Sequence, residues 1–128
     1  MKRRSLAKKS EFHEVYERGA KKVGRLLVVY LLDGPDQAGA VVASRKIGNA
    51  VRRNRAKRLL REALRKSVLG RPQGHEVILT RFFPVPARMD SAADMTRGLW
   101  VVLVARSAIL EAGAEEVRAE LDHLLAGP

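Results

Sequence analysis

The chain contains no cysteine. This absence excludes disulfides, thiolate zinc sites, iron–sulfur clusters and cysteine nucleophiles, and it fits a reducing compartment. Long apolar runs are also missing, because the longest, Leu26 to Leu32 and Leu99 to Ala105, cover 7 residues each, far short of the ~20 that span a membrane. The basic N-terminus, Met1 to Arg4, lacks the apolar stretch of a signal peptide. We therefore expect a cytoplasmic protein without a membrane partner.

Acidic residues are scarce: 14 stand against 25 Lys and Arg, which gives a net charge of +11. Residues 1–71 hold 20 basic and 6 acidic side chains, whereas residues 72–128 hold 5 and 8, so the excess lies in the first part. Within 44–71 there are 11 basic residues and one acid, Glu62. A solvated helix face normally mixes both signs. This self-repelling run therefore favours a polyanionic partner.

The 128 residues, of which 46% are hydrophobic, suit a single domain with one core. Periodicity and turn residues predict an α+β order with a helix over 11–18, strands over 26–32 and 39–44, a helix over 50–68, a strand over 100–105 and a helix over 109–126. Because the turn at Asp33-Gly34-Pro35 is short, we expect the first two strands to form an antiparallel pair.

The segment 71–98 is ambiguous. His75–Thr80 has the composition of a strand, while the prolines after Phe83 favour extended or looped chain. Residues Asp90 to Arg97 are small and polar and suit at most one helical turn. The segment therefore gives no firm secondary structure.

The helix predicted over 50–68 is strongly amphipathic. Its apolar positions follow helical spacing, and they are Ala56, Leu59, Leu60, Ala63 and Leu64. On the opposite side, a ridge is formed by Asn54, Arg58, Arg61 and Arg65. One helix is therefore expected to pack against a core and to present a basic ridge to solvent.

Motifs of protein-based catalysis are missing. The three histidines are far apart, and no HExxH, paired-carboxylate or Gly-x-Ser-x-Gly pattern occurs. The acids between 111 and 122 are interpreted as the wet side of a helix. We therefore predict no catalytic residue and no metal ligand in this chain, although a site assembled from distant residues stays open.

The strongest motif runs from Ser44 to Arg61 and contains a strand end, a Gly-containing turn and a helix start, crowded with guanidinium groups. Arginine matches phosphate through its planar fork and stacks on bases. For Asn54 three readings stay open: a contact to RNA, support of a water on an outer-sphere metal, or simple dilution of charge. Phe12, Tyr16 and Tyr30 are either core residues or flat surfaces for unstacked bases.

On this motif, with its Arg53-Asn54-Arg55 core and the spacing of the aromatics Phe12, Tyr16 and Tyr30 before it, the sequence resembles the bacterial ribonuclease P protein family. The likeness covers roughly 5–69 and 99–125. It implies a two-layer α-β sandwich, ribosomal protein S5 domain 2-like, with a small, mostly antiparallel sheet and a left-handed βαβ crossover, an exception to the usual hand. Family members pass quickly from the long helix to the last strand. The 28 residues of 71–98 therefore look like an insertion, after a basic tail over 1–9, within one RNA-binding domain spanning 1–128.

The resemblance also implies a function: the RNA subunit is the catalyst, and the protein binds it together with the 5′ leader of precursor tRNA, with no nucleotide cofactor. Mg²⁺ would be held mainly by the RNA. The residues implied to contact the catalytic RNA are Arg45, Lys46, Arg52, Arg53, Asn54, Arg55, Lys57, Arg58, Arg61 and Arg65. Those implied to line a cleft for the single-stranded leader are Phe12, Tyr16, Val28 and Tyr30.

Two alternatives from other classes stay open. A structural rRNA-binding protein has similar size and basicity but no processing role. A nuclease would cut RNA with its own side chains. The first would co-purify with ribosomal particles, and the second would cleave precursor tRNA without an RNA subunit.

Overall fold

The computed structural model describes residues 3–84 and 98–127. Its elements, in chain order, are β1 (Arg4–Ser5), α1 (Lys9–Arg18), β2 (Ala20–Val23), β3 (Leu27–Gly34), β4 (Ala38–Val42), α2 (Ala50–Lys66), α3 (Gly74–Phe82), β5 (Gly98–Ala105) and α4 (Ala114–Leu124). The strands form one sheet in the order β1-β4-β5-β3-β2. The predicted α+β class is confirmed. Among the described residues, no helix is long and apolar enough to cross a membrane.

The sheet is mixed. β3 is antiparallel to β2 and β5, whereas β4 is parallel to β5 and β1. The predicted antiparallel pairing of β3 with β4 is wrong, because β5 lies between them. β5 is apolar at all eight positions and only Val104 in it is not fully buried, so it suits the centre of the sheet, where both faces are covered.

β4 and β5 are parallel neighbours joined by a crossover that contains α2. This is the βαβ arrangement that the family resemblance implied, and its left hand stays a prediction. Parallel neighbours need a long crossover connection, because the chain must return to the same end of the sheet before the second strand begins. α2 lies in this connection and packs on the sheet.

Alternation along the strands divides the core between the two faces of the sheet. One face, which includes Leu27, Val29 and Leu31 of β3, packs against buried side chains of α2, α3 and α4. The other face carries a smaller cluster with α1, composed of Leu6, Val15, Leu32, Ala38, Trp100 and Val102. α1 is short, so part of this second face is left only half-buried, and the candidate site forms there.

The segment after α2 forms a helix and not the strand that its sequence suggested. Residues His75–Thr80 lie within the helix α3, whose Ile78 and Leu79 are buried in the main core. The strand reading is wrong, because the segment folds as a helix that buries His75, Ile78 and Leu79 on one side. The residues 85–97, including the turn considered for Asp90 to Arg97, lie outside the described residues.

The acids of α4 do more than solvate a helix face. Glu120 accepts hydrogen bonds from the backbone N–H groups of Leu26 at 2.7 Å and Leu27 at 3.1 Å, and Asp122 accepts one from Val68 at 2.9 Å. The prediction that these acids only face water is therefore wrong for these two. They satisfy backbone donors at the start of β3 and after α2, and so tie α4 to both.

Candidate RNA interface

The junction between β4 and α2 is built from local capping contacts. The Ser44 side chain accepts from the backbone N–H of Lys46 at 3.3 Å and starts a 3-10 turn over Arg45–Ile47. Gly48 follows at φ 135°, a conformation that L side chains rarely adopt. Asn49 then caps α2, with its Oδ1 accepting from the Arg52 N–H at 3.0 Å. These contacts fix where the helix begins and hence which side chains face outward.

The structure places the ten residues predicted to contact RNA on one continuous stretch. Eight are exposed, namely Arg45, Lys46, Arg52, Asn54, Arg55, Arg58, Arg61 and Arg65. The other two, Arg53 and Lys57, are half-buried on the flank of the helix. Ala56, Leu60 and Ala63 on the opposite side are buried, as the spacing predicted. α2 therefore presents a basic ridge to solvent.

The charges on this ridge are almost uncompensated. Across residues 3–84 and 98–127, Arg65 is the one member of the set with a carboxylate within 4.0 Å, namely Glu62 at 3.2 Å. Lys66 lies 2.9 Å from the same carboxylate. The hydrogen bond from Lys66 is the main cause of a lowered pKa for Glu62. The remaining arginines and lysines are therefore free to bind an anion.

The four residues predicted for a leader cleft also come together. The rings of Phe12 and Tyr16 are 6.2 Å apart, and those of Tyr16 and Tyr30 are 4.8 Å apart in an edge-to-face arrangement. Val28 lies on the same face of β3, two residues before Tyr30. Phe12 and Tyr30 pack on the smaller core cluster, while Tyr16 is 42% exposed. The aromatics thus serve as core on one side and as open surface on the other.

Sequence reasoning missed the rest of the cleft floor. The strand registers place Ala40, Val42, Val102 and Val104 beside Tyr30 and Val28 on this face, and all but Val102 are half-buried. Lys21 lies opposite Tyr30, with its Nζ 5.8 Å from the ring centre. Alternation within the strands would have indicated these residues, had the strand order been known.

The ionisable groups of the cleft and the positions of the three histidines define what the site offers chemically. Burial, followed by the neighbouring Tyr30, raises the pKa of the Tyr16 hydroxyl, so it stays neutral. Within the described part of the chain, no three His, Asp or Glu side chains lie together as a metal site. His13 and His123 are exposed and separate, and His75 is buried outside the cleft. A polar, positively charged ridge and a flat aromatic surface are the two features that single-stranded nucleic acid binders combine.

Comparisons with known proteins agree on one family. A family model described as Ribonuclease P matches residues 1–81. The chain is similar to the ribonuclease P protein component of Nocardioides sp., with 40% identity over 110 residues, which is 81% of this chain and 86% of that protein. It is 44% identical to the same component of Coprothermobacter proteolyticus over 76 residues, which is 59% of this chain. That second match spans 64% of the relative's length, less than two thirds.

Solved structures give the same result for the fold. The RNase P protein from Thermotoga maritima superposes with a TM-score of 0.63 at 22% identity, covering 98% of this chain and 96% of that one. At this identity the likeness shows a shared fold and carries no residue roles. The likeness extends over nearly all of both chains, and so includes the sheet and the helices described above.

Proposed function

The chain belongs to the ribonuclease P protein family, and from this premise we propose that it is the protein subunit of a bacterial ribonuclease P. In this role it binds the catalytic RNA and the 5′ leader of precursor tRNA, and it promotes endonucleolytic removal of the leader. The RNA subunit performs the cleavage, and the protein alone is inactive. The complex works in the bacterial cytoplasm.

The observation that carries this proposal is the nearly uncompensated basic ridge on α2. Guanidinium groups without carboxylate partners repel one another, and phosphates of a folded RNA relieve that repulsion while releasing counterions. The Asn49 cap defines where α2, and with it the ridge, begins. We assign the ridge, with Arg45 and Lys46 before it, to the catalytic RNA.

We assign the aromatic cleft to the leader. Single-stranded RNA offers unstacked bases, which bind flat aromatic rings without strong sequence preference. Tyr16 and Tyr30 supply such rings, and Lys21 beside them supplies a charge for the leader backbone. A cleft of this kind orients the leader so that the scissile phosphate reaches the catalytic RNA.

Mg²⁺ belongs to the RNA in this proposal. Held by RNA phosphates, it would supply Lewis-acid chemistry and charge neutralisation at the reacting phosphate. The protein's contribution is electrostatic, since its basic ridge reduces repulsion between RNA phosphates and so lowers the Mg²⁺ concentration that the complex requires. No residue of the chain is assigned as a metal ligand.

Reconstitution tests the proposal. The full chain is added to a bacterial ribonuclease P RNA at a Mg²⁺ concentration too low for the RNA alone, and leader removal is measured. We expect cleavage only when both subunits are present. Cleavage by the protein without RNA would favour a nuclease, and failure to stimulate the RNA would leave a structural rRNA-binding role as the better account.

A further inference from the structure

A cavity of about 350 Å³ lies between the β1–β4 edge of the sheet and α2, and none of the four predicted cleft residues lines it. Three arginines line it: Arg3 and Arg4 from the N-terminal segment and Arg61 from α2. A surface cavity lined by three cations selects against positively charged and apolar ligands. Which ligand this cavity can bind depends on whether each guanidinium already has a charge partner.

Arg3 is partly buried and lacks a charge partner. Its Nη2 lies 2.6 Å from Nε2 of His75 and 3.5 Å from the carbonyl oxygen of Leu69, but its Nε is buried without a hydrogen-bond partner. No carboxylate among residues 3–84 and 98–127 lies within 4.0 Å of it. Burial lowers the pKa of Arg3, but an arginine keeps its charge in proteins. A buried charge without a counterion is costly, and an anion would offset that cost.

The fold holds Arg3 in this position by two contacts. Gly39 of β4 has no side chain, and a Cβ built there would lie 2.5 Å from Cδ of Arg3. A side chain at position 39 would therefore force Arg3 to move. His75 of α3 receives it at the far end, and burial, together with the charge of Arg3, lowers the pKa of His75 to about 4. At neutral pH the ring is uncharged and accepts the hydrogen bond.

The other two arginines differ in whether a carboxylate balances their charge. Arg4 is balanced by ion pairs with Glu11 and Asp36. Arg61 is exposed and, among the described residues, has no carboxylate within 4.0 Å. Two uncompensated guanidinium groups, Arg3 and Arg61, thus border the same cavity. A phosphate group carries enough charge and oxygens to accept from both, and Arg binds it through its fork.

We propose that this cavity is a phosphate-binding site in which Arg3 and Arg61 hold the phosphate and His75 positions Arg3. His75 lies on α3, within the segment 71–98 that the sequence marked as an insertion, and it reaches the site through its contact with Arg3. The phosphate comes either from an RNA backbone or from a free phosphate compound. The chemistry is the same for both sources. Because Arg61 also belongs to the ridge, the RNA source rests on the proposed function, whereas binding of inorganic phosphate is independent of it.

The first test uses the full chain and inorganic phosphate. The buried Nε–H of Arg3 is followed by ¹⁵N NMR during a phosphate titration, with binding also measured by calorimetry. We expect the Arg3 signal to shift along a saturating curve. Arg61→Met should weaken binding about tenfold, the loss of one charge-assisted interaction. Arg18→Met is the matched control, since Arg18 lies outside both surfaces assigned to RNA and is already paired with Glu14, and it should change affinity less than about twofold.

Two substitutions at His75 test its positioning role. His75→Gln keeps an acceptor for Arg3 and should retain phosphate binding, whereas His75→Leu removes the acceptor and should weaken binding about tenfold. Circular dichroism and thermal unfolding confirm that both variants fold. Equal loss in the Gln and Leu variants, an Arg3 signal that never shifts, or equal loss in Arg61→Met and Arg18→Met would overturn the site.

A second arm separates the two sources of phosphate. Binding of the Arg3→Met variant to a ribonuclease P RNA is compared with its binding of inorganic phosphate. Loss of both assigns the site to an RNA phosphate, and loss of inorganic phosphate alone assigns it to a free phosphate compound. Unchanged inorganic phosphate binding in Arg3→Met contradicts the proposal, whatever happens to RNA.

Discussion

Tyr16 is the most exposed of the cleft aromatics, and its ring contacts both Phe12 and Tyr30. We expect Tyr16→Ala to weaken binding of leader-bearing precursor tRNA by the assembled complex about tenfold or more, since base–aromatic stacking is worth about 1–3 kcal/mol. Mature tRNA is the control and should bind as before. Phe12→Ala should act in the same direction, with some loss of stability because Phe12 also packs on the core. Equal losses for leaderless tRNA would rule out the cleft assignment.

His75 gives a pH dependence at the residue scale. Its folded pKa, about 4, lies below the ordinary 6.5 because burial and then Arg3 disfavour the protonated ring. Between these two pKa values the unfolded chain therefore binds more protons than the folded chain. The stability that the neutral His75 ring contributes is thus present above pH 6.5 and is lost as the pH falls through 4. It amounts to at most about 3 kcal/mol. Urea unfolding between pH 7 and pH 4 should show a smaller decrease in the free energy of unfolding for His75→Gln than for the wild type. An equal decrease in both would contradict the assignment.

At the scale of the element, the start of α2 rests on one cap. The Asn49 side chain satisfies the Arg52 N–H, so Asn49→Ala should lower the free energy of unfolding by about 1 kcal/mol. Asn49→Ser keeps a capping oxygen and should lose much less. Urea unfolding measures both variants. Equal losses would show that the cap is not what Asn49 contributes.

The ridge on α2 predicts a graded response to salt. Arg58→Ala removes an exposed, unpaired charge, so it should weaken binding to the catalytic RNA and lower the slope of log K against log salt by about 0.7–0.9. Arg65→Ala should lower it less, because Glu62 already balances part of that charge. Binding titrations at several salt concentrations measure both slopes. Identical slopes for the wild type and Arg58→Ala would remove Arg58 from the interface.

The same elements show what the sequence could and could not reveal. The helical period from Ala56 to Ala63 was enough to predict α2, its buried side and its ridge, because each depends on local spacing. The helix α3 was not foreseen, since a short apolar run such as Val77-Ile78-Leu79 suits strand and helix equally. Its position over the core, rather than its composition, decides its state.

At the scale of the whole molecule, the order of the strands was beyond local reasoning. β3 and β4 are separated in sequence by a short turn, but β5, more than fifty residues later, lies between them. The uniformly apolar sequence of β5 indicated that this strand is buried, but not where it lies in the sheet. The floor of the cleft, with Val102 and Val104 beside Tyr30, follows only from that order. The aromatics themselves were found from the sequence because the family motif pointed to them.

We propose two separate surfaces on the molecule, a ridge for the catalytic RNA and a cleft for the leader. Because the chain has no cysteine, a single introduced thiol carries a photo-crosslinker at one chosen place. Tyr16→Cys places it in the cleft and Arg58→Cys places it on the ridge. In the assembled complex with precursor tRNA, we predict crosslinks from position 16 to the leader and from position 58 to the catalytic RNA. Crosslinks from position 16 to the catalytic RNA alone, or from position 58 to the leader, would contradict the account.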